Sequence, residues 1–446
     1  MTQFARGLGM PNWAFGILVA IPAVATLVQL PASVVLSRGV GAKRLFIVSH
    51  LVCRVLWVVV GAVPWFWPDI FVTPWHGMLL ILVAAWALHH MGIPAWMNWM
   101  ADVVPRAVRG RFYGVRQRVA RPIAIAATVT VGWALDRVSA VSGDGILMRQ
   151  ATSALIMTAG LFGILEVLMY RRVDAPPMHT PPPPSRWWRH LAEPLRDRNF
   201  RWFVLFSASL GLSTGFMAQY LWLYMFDVGK YSNLEANLLL VALPGAVNLM
   251  VYPFWGRVVD RHGRRPVIAI AMAGMLINPF GWILVCSQAN IWIGVPIVIV
   301  GFCMWPGLEL ATMNYMFDLA GGRDEKTGGT SYVAINNIAL AGAGIFSGLI
   351  GSGCAKWLED LHWGETQLGF PVTYHAVLLA LGGVLRFVAL LFALQFKESG
   401  AAPARDVMRY MTSSLYGNVR QAFLMPIRAV SQPLARSYRL RSDDTE

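Results

Sequence analysis

The sequence predicts an all-α, polytopic membrane protein. Apolar residues make up 56% of its 446 residues and charged residues only 13%, the latter about half the share usual in soluble domains. Eleven apolar runs are candidate membrane-spanning helices, and Lys and Arg concentrate in alternate loops between them. These observations exclude a disordered, fibrous or ordinary soluble protein.

Five predicted helices precede residue 171 and six follow residue 200. The eleven runs are Trp13–Val35, Leu45–Phe66, Gly77–Met97, Arg121–Leu135, Ala151–Tyr170, Trp202–Phe226, Leu234–Trp255, Pro266–Cys286, Ile291–Tyr315, Tyr332–Ala355 and Tyr374–Phe396. The fourth run is short for a span. We therefore expect its helix to begin near Val115 and to carry Arg116, Arg118 and Arg121 in its first turns.

The basic residues predict the orientation. Thirty of the 37 Lys and Arg residues lie in one alternating set of loops and the C-terminal tail, five lie on the other side, and two lie within spans. The positive-inside rule places the first set and the C-terminus in the cytoplasm and Met1 outside. The net charge of +14 is thereby explained as a topology signal, and we expect no nucleic-acid partner.

The chain also repeats itself. The segments Met97–Asp102 and Met313–Asp318 are similar, as are Val19–Leu27 and Val241–Leu249. These matches, with a third between Arg109–Arg118 and Gly328–Asn337, occur in order at offsets of 216 to 222 residues. The chain is thus predicted to contain two parallel copies of one unit, as one large class of secondary transporters does.

The copies differ by one helix. At the 222-residue offset, the partner of Trp202–Phe226 would lie almost wholly before Met1. We expect a twelve-helix plan that has been cut at its N-terminus, and a genuine eleven-helix protein is the alternative. The predicted units are an N-terminal bundle (1–170), a Pro-rich linker with an amphipathic segment (171–200), a C-terminal six-helix bundle (201–396) and a basic cytoplasmic tail (397–446).

The loop Gly256–Pro266 reads GRVVDRHGRRP. It resembles the G-x-x-x-D-R-x-G-R-R loop of the major facilitator superfamily, and the paired repeats and basic loops strengthen that resemblance. The resemblance implies two helical bundles that transport a small molecule by alternating access. It further implies an integral protein of the bacterial inner membrane that acts as a monomer without a cofactor or metal.

A cytoplasmic gate is predicted in the same loop. Gly256 and Gly263 permit a tight turn and a close backbone approach. Asp260 is expected to pair with Arg261 or Arg264 and to cap a neighbouring helix end. With Arg265, these groups would hold the gate shut in one state. The alternative is a generic basic loop that only obeys the positive-inside rule.

Ionisable groups inside the spans are candidate functional residues because they are costly in a membrane. Glu309 lies where the resemblance implies a cavity-lining helix, so it is a candidate for proton coupling or substrate binding. The alternative is a pair with loop arginines. His89 and His90 are further candidates that exchange protons near neutral pH, with simple packing as their alternative. Trp305 and Tyr220 are candidate aromatic contacts for a sugar ring or an aromatic ligand. Their alternative is a place in the aromatic belt at the membrane interface.

Two further charges are interpreted as structural. Arg54 lies in the middle of the second run and Glu166 near the end of the fifth. Since both belong to the first copy, an Arg54–Glu166 pair would neutralise two buried charges, and snorkelling is the alternative. Arg386 has no obvious partner in the sequence.

The leading functional hypothesis is a secondary transporter of a polar, sugar-like organic solute, by proton symport. Drug export is an alternative, although the helices that would carry its usual Arg and Gly-Pro patterns lack them. A membrane sensor or membrane-embedded enzyme is the alternative of another class. An enzyme would need several polar residues at one depth, whereas the sequence shows scattered ones, so no enzymatic activity is expected.

Overall fold

The computed structural model describes residues 1–66, 74–104, 109–141, 145–174, 193–285, 291–321, 330–360, 363–365, 371–398 and 400–412. The Pro-rich part of the predicted linker and most of the predicted basic tail lie outside the described residues.

The described residues of the first half form seven α-helices. They are α1 (Thr2–Gly7), α2 (Phe15–Thr26), α3 (Gln29–Ser37), α4 (Ala42–Phe66), α5 (Pro74–Val103), α6 (Arg109–Val141) and α7 (Gly145–Met169). Helices α2 and α3 form one continuous span with a 3₁₀ turn, Asn12–Ala14, at its start. The short α1 precedes this span.

Eight α-helices lie in the part of the second half that the structure describes. They are α8 (Arg198–Asp227), α9 (Asn233–Asn237), α10 (Leu243–His262), α11 (Arg264–Met275), α12 (Asn278–Val285), α13 (Ile291–Gly321), α14 (Thr330–Trp357) and α15 (Tyr374–Ala393). A π-helical turn, Leu238–Ala242, joins α9 to α10. Two short antiparallel strands, Trp363–Glu365 and Pro371–Val372, precede α15, and the sequence did not predict them.

Eleven helical segments of the described chain are long and apolar enough to span a membrane, which confirms the eleven predicted helices. The fourth segment spans Val115–Val141, so it begins at the residue near which the sequence predicted its start. We call the helix ends near Arg44 and Arg265 the basic side and the other ends the opposite side.

The second half is the more deeply buried. Half or more of the apolar window is buried in α8 and in the span formed by α11 and α12, against a third at most in any span of the first half. Aromatic residues fill the core of the second half near the basic side, where Phe200, Phe206, Trp255 and Phe396 are almost fully buried. This dense core fixes the helices that surround the site described below.

Two contacts between antiparallel helices, which we call seams, help to join the halves. In the first, α2 crosses α14 at Gly16 and Gly348, where a Cβ on either glycine would collide with the other helix. Small residues allow such close crossings of membrane helices. In the second, the Asp136 carboxylate of α6 accepts hydrogen bonds from the backbone N–H groups of Asn233 (2.7 Å) and Leu234 (2.9 Å). It thereby caps the N-terminus of α9.

Candidate transport cavity

A cavity of about 290 Å³ lies within the second half. Five spans contribute to its lining, which is mostly apolar. Its polar and aromatic side chains are Thr214, Asn248, Asn278, Trp282, Phe302, Trp305 and Arg386. Trp305 therefore lies in the cavity, as a candidate contact for a flat solute should.

A broken helix forms one wall of the cavity. The span that begins at Arg264 is interrupted between Met275, the last residue of α11, and Asn278, the first of α12. In a continuous helix, the Met275 carbonyl would accept a hydrogen bond from residue 279. That residue is Pro279, which has no N–H group. The Met275 carbonyl therefore needs a donor from elsewhere.

Arg386 of α15 supplies that donor. Its Nη1 donates to the Met275 carbonyl at 3.0 Å and to Asn278 Oδ1 at 3.2 Å. Its Nε donates to Ser213 Oγ at 3.3 Å. The residue is only 4% exposed, so a single guanidinium connects three spans at the cavity wall.

Glu309 lies one turn from Trp305 toward the basic side of α13. Its carboxylate accepts a hydrogen bond from the Tyr252 hydroxyl of α10. The guanidinium of Arg121, on α6 of the first half, also interacts with the Tyr252 hydroxyl. Glu309, Tyr252 and Arg121 thus form a polar cluster that links the two halves beside the cavity.

His89 and His90 lie in the first half, in a separate polar cluster. His90 Nδ1 is 2.9 Å from the side-chain nitrogen of Gln29. The His89 ring lies 5.1 Å from that of His50, centre to centre, and edge-on to Trp86 at 5.7 Å. The structure does not place either histidine in the lining of the second-half cavity.

Tyr220 lies at the opposite side, fully buried where the halves meet. Its hydroxyl donates to the Trp13 carbonyl at 3.2 Å. In the same region Arg6 and Asp227 form an ion pair of 2.5 Å between the halves. These contacts join the two halves at the opposite side, and Tyr220 is not among the residues that line the cavity.

The acidic partner that the structure gives Arg264 in the basic-side loop is not the predicted Asp260. Gly263 has a φ of 90°, and this reversal turns the start of α11 toward the ends of other helices. Arg264 pairs with Asp318 at 3.0 Å and with Glu398 at 3.3 Å.

Glu398 also takes the capping role that was expected of Asp260. It accepts hydrogen bonds from the backbone N–H groups of Arg264 (2.9 Å) and Arg265 (2.7 Å). Arg261 lies over the ring of Tyr410, 5.0 Å from its centre. A Cβ on Gly256 would meet nothing within 4 Å, so close approach does not explain this glycine.

The pair predicted between Arg54 and Glu166 is present. Arg54 Nη2 lies 3.1 Å from Glu166 Oε2, and the two side chains are 29% and 52% exposed. The pair joins α4 to α7 within the first half.

The cavity, the polar cluster and the two seams together describe a two-part helical membrane protein. Comparison with known families matches residues 1–349 to the model of the Major Facilitator Superfamily. The chain belongs to the major facilitator superfamily. No curated protein matches its sequence significantly.

Solved structures similar to this superfamily member include two transporters with a TM-score of 0.63. One is the nucleoside transporter NupG, at 12% identity over 89% of this chain and 94% of that one. The other is a D-xylose-proton symporter, at 16% identity over 89% and 90%. A bacterial homologue of the human lysosomal transporter Spinster, in an inward-facing and occupied conformation, gives 0.57 at 14% identity over 88% and 93%. At these identities the similarity shows the shared fold.

Sequence reasoning about this superfamily member missed Tyr252 and Asn248 and gave Arg386 no partner. One signal was present. Asn248 and Tyr252 are four residues apart, as are Trp305 and Glu309, so each pair lies on one face of its helix. Since both helices line the cavity, these two faces could have indicated that polar side chains lie along it in the second half.

Proposed function

We propose that this protein is a secondary active transporter that moves a small, sugar-like organic solute by alternating access, coupled to proton movement. The cavity supports a small solute, because its volume is near the lower end of the range for ligand sites. Trp282 and Trp305 in its lining offer flat apolar faces to a sugar ring. The protein is thus proposed to be a transporter and not an enzyme.

The proposal that transport is coupled to protons is based on the cluster of Glu309, Tyr252 and Arg121. Glu309 accepts a hydrogen bond from Tyr252, while Arg121 of the other half interacts with the same hydroxyl. A proton on Glu309 removes its negative charge and thereby weakens the charge-assisted hydrogen bond from Tyr252, the residue with which Arg121 also interacts. Protonation would thereby loosen a contact between the halves, which couples a proton to their movement.

The orientation follows from the charges. We propose that the basic side and the C-terminus face the cytoplasm of a bacterium, across its inner membrane. The Arg6–Asp227 pair and Tyr220 would then join the two halves near the outer end.

Transport by proteoliposomes tests the proposal. The purified protein is expected to accumulate a labelled sugar or sugar derivative when the pH is lower outside. Glu309→Gln should lower accumulation driven by the pH gradient at least about tenfold, equivalent to ~1.4 kcal/mol of coupling, and should keep solute exchange without a gradient. Glu166→Gln is the matched control, because Glu166 pairs with Arg54 away from the cavity.

Two outcomes would contradict the proposal. If Glu309→Gln accumulates solute as the wild type does, Glu309 is not the coupling group. If the protein chemically changes the solute without moving it across the membrane, the protein is an enzyme and the transport function is wrong.

A further inference from the structure

We propose that the cavity beside Arg386 binds the carboxylate group of a hydroxylated organic acid, of the sugar-acid type. The inference rests on the proposed transport function and specifies the class of its solute.

The first argument is an uncompensated charge. Arg386 is 4% exposed, and among the residues that the structure describes no carboxylate lies within 4.0 Å of its guanidinium. Burying a lone charge is costly, and buried arginines in membrane spans usually have a partner or a function. A bound anion would supply the missing negative charge.

The second argument is the orientation of the guanidinium. Its Nε and Nη1 atoms donate to Ser213, Met275 and Asn278. Nη2 has only the Met217 sulfur, at 3.3 Å, and a thioether is a weak acceptor. The strong acceptors thus hold one edge of the guanidinium, and a carboxylate oxygen is a far better acceptor for Nη2 than sulfur.

The rest of the cavity determines what else the solute carries. Asn248 Oδ1 is buried and has no hydrogen-bond partner among the described residues. An orphaned acceptor requires a donor, and a hydroxyl group of the solute is such a donor. Trp305 and Trp282 complete the lining with apolar surfaces for the carbon skeleton.

Glu309 limits the total charge of the solute. It lies four residues beyond Trp305, or ~6 Å along the helix. Its carboxylate would repel a second negative charge on a solute held at Arg386. The geometry therefore favours a singly charged sugar acid over a sugar phosphate or a dicarboxylate.

Binding to the purified, full-length protein tests the inference. Glucuronate, its neutral amide glucuronamide, and glucose are titrated in detergent solution. Glucuronate should bind at least about tenfold more tightly than either neutral compound, and glucose 6-phosphate should bind more weakly than glucuronate. Arg386→Gln should abolish the preference for glucuronate. Arg54→Gln is the control, since Arg54 is also an intramembrane arginine but lies outside the cavity, and it should keep the preference.

The inference is overturned if glucuronate and glucuronamide bind equally well to the wild type, or if neither binds. It is also overturned if folded Arg386→Gln keeps the preference. The comparison of glucuronate with glucuronamide uses only the wild-type protein. It therefore tests the inference even if the Arg386→Gln variant does not fold.

Uptake into proteoliposomes separates this inference from the proposed function. Uptake of labelled glucose that excess glucuronate does not inhibit would overturn the acid site and leave transport standing. Tight binding of glucuronate without uptake of glucuronate or glucose would overturn transport and leave the site standing.

Discussion

Each half has an arginine at the corresponding contact between two of its spans, and the charge of that arginine is compensated in different ways. We call these two contacts joints. The 222-residue repeat offset relates Arg54 to position 276 and Glu166 to position 388. In the first half, Arg54 of α4 pairs with Glu166 of α7 at 3.1 Å. In the second half the arginine is on the other helix, where Arg386 of α15 donates to the Met275 carbonyl at the break between α11 and α12.

Exposure differs between the two joints as well. The side chains of the first pair are 29% and 52% exposed, while Arg386 is 4% exposed. The half-buried Arg54 has a carboxylate partner, and the buried Arg386 has backbone and neutral side-chain acceptors. Among the described residues no carboxylate lies within 4.0 Å of Arg386, and this difference is the basis of the proposed anion site.

The largest expected effect is on Arg386. Arg386→Ala should lower the free energy of unfolding by about 3 kcal/mol, because it leaves buried acceptors without donors and opens a void. Arg54→Ala should cost about 1 kcal/mol, less than Arg386→Ala, because the Arg54–Glu166 pair is only half-buried. Thermal unfolding of both variants in the same detergent measures the difference, and equal losses would contradict the contrast between the halves.

A smaller effect should come from repairing the broken helix. Pro279→Ala added to Arg386→Ala should recover about 1 kcal/mol, because residue 279 then has an N–H group for the Met275 carbonyl. Pro253→Ala in the same background is the control, since Pro253 lies inside α10. Equal recovery in both double variants would show that the gain is unrelated to Met275.

The smallest effect concerns the pair in the first half. Arg54→Glu and Glu166→Arg should each destabilise the protein, and the double variant should restore the attraction with reversed charges. A double-mutant cycle of unfolding free energies should give a coupling of about 0.5 kcal/mol. A coupling near 3 kcal/mol would mean that this pair behaves as a buried one and that the two joints are alike.

Much of the fold could be predicted because a bilayer imposes simple rules. The eleven spans follow from the lengths of apolar runs, and the pairing of Arg54 with Glu166 follows from two costly charges in one half. The partners of Arg386 could not be predicted in the same way. They are a backbone carbonyl and side chains from α8 and α12, and only Pro279, four residues after Met275, hinted at the break.

The expected partner of Arg264 shows the same limit. Asp260 is close in sequence, but the reversal at Gly263 brings Arg264 to Glu398 and Asp318, which are 134 and 54 residues away. Nearness along the chain is a weak guide where several helix ends meet, because the direction of each helix decides which groups come together.

The sequence by itself determined the membrane fold, the number of spans and their alternating charge, since these depend on hydrophobic length and on counts of charged residues. Only the tertiary structure decided that Tyr252 meets both Glu309 and Arg121, that Tyr220 lies where the halves meet at the opposite side, and that Arg386 lines a cavity with no carboxylate beside it among the described residues. Those outcomes depend on which faces of distant helices touch, and a periodic apolar pattern does not specify the partner of a face.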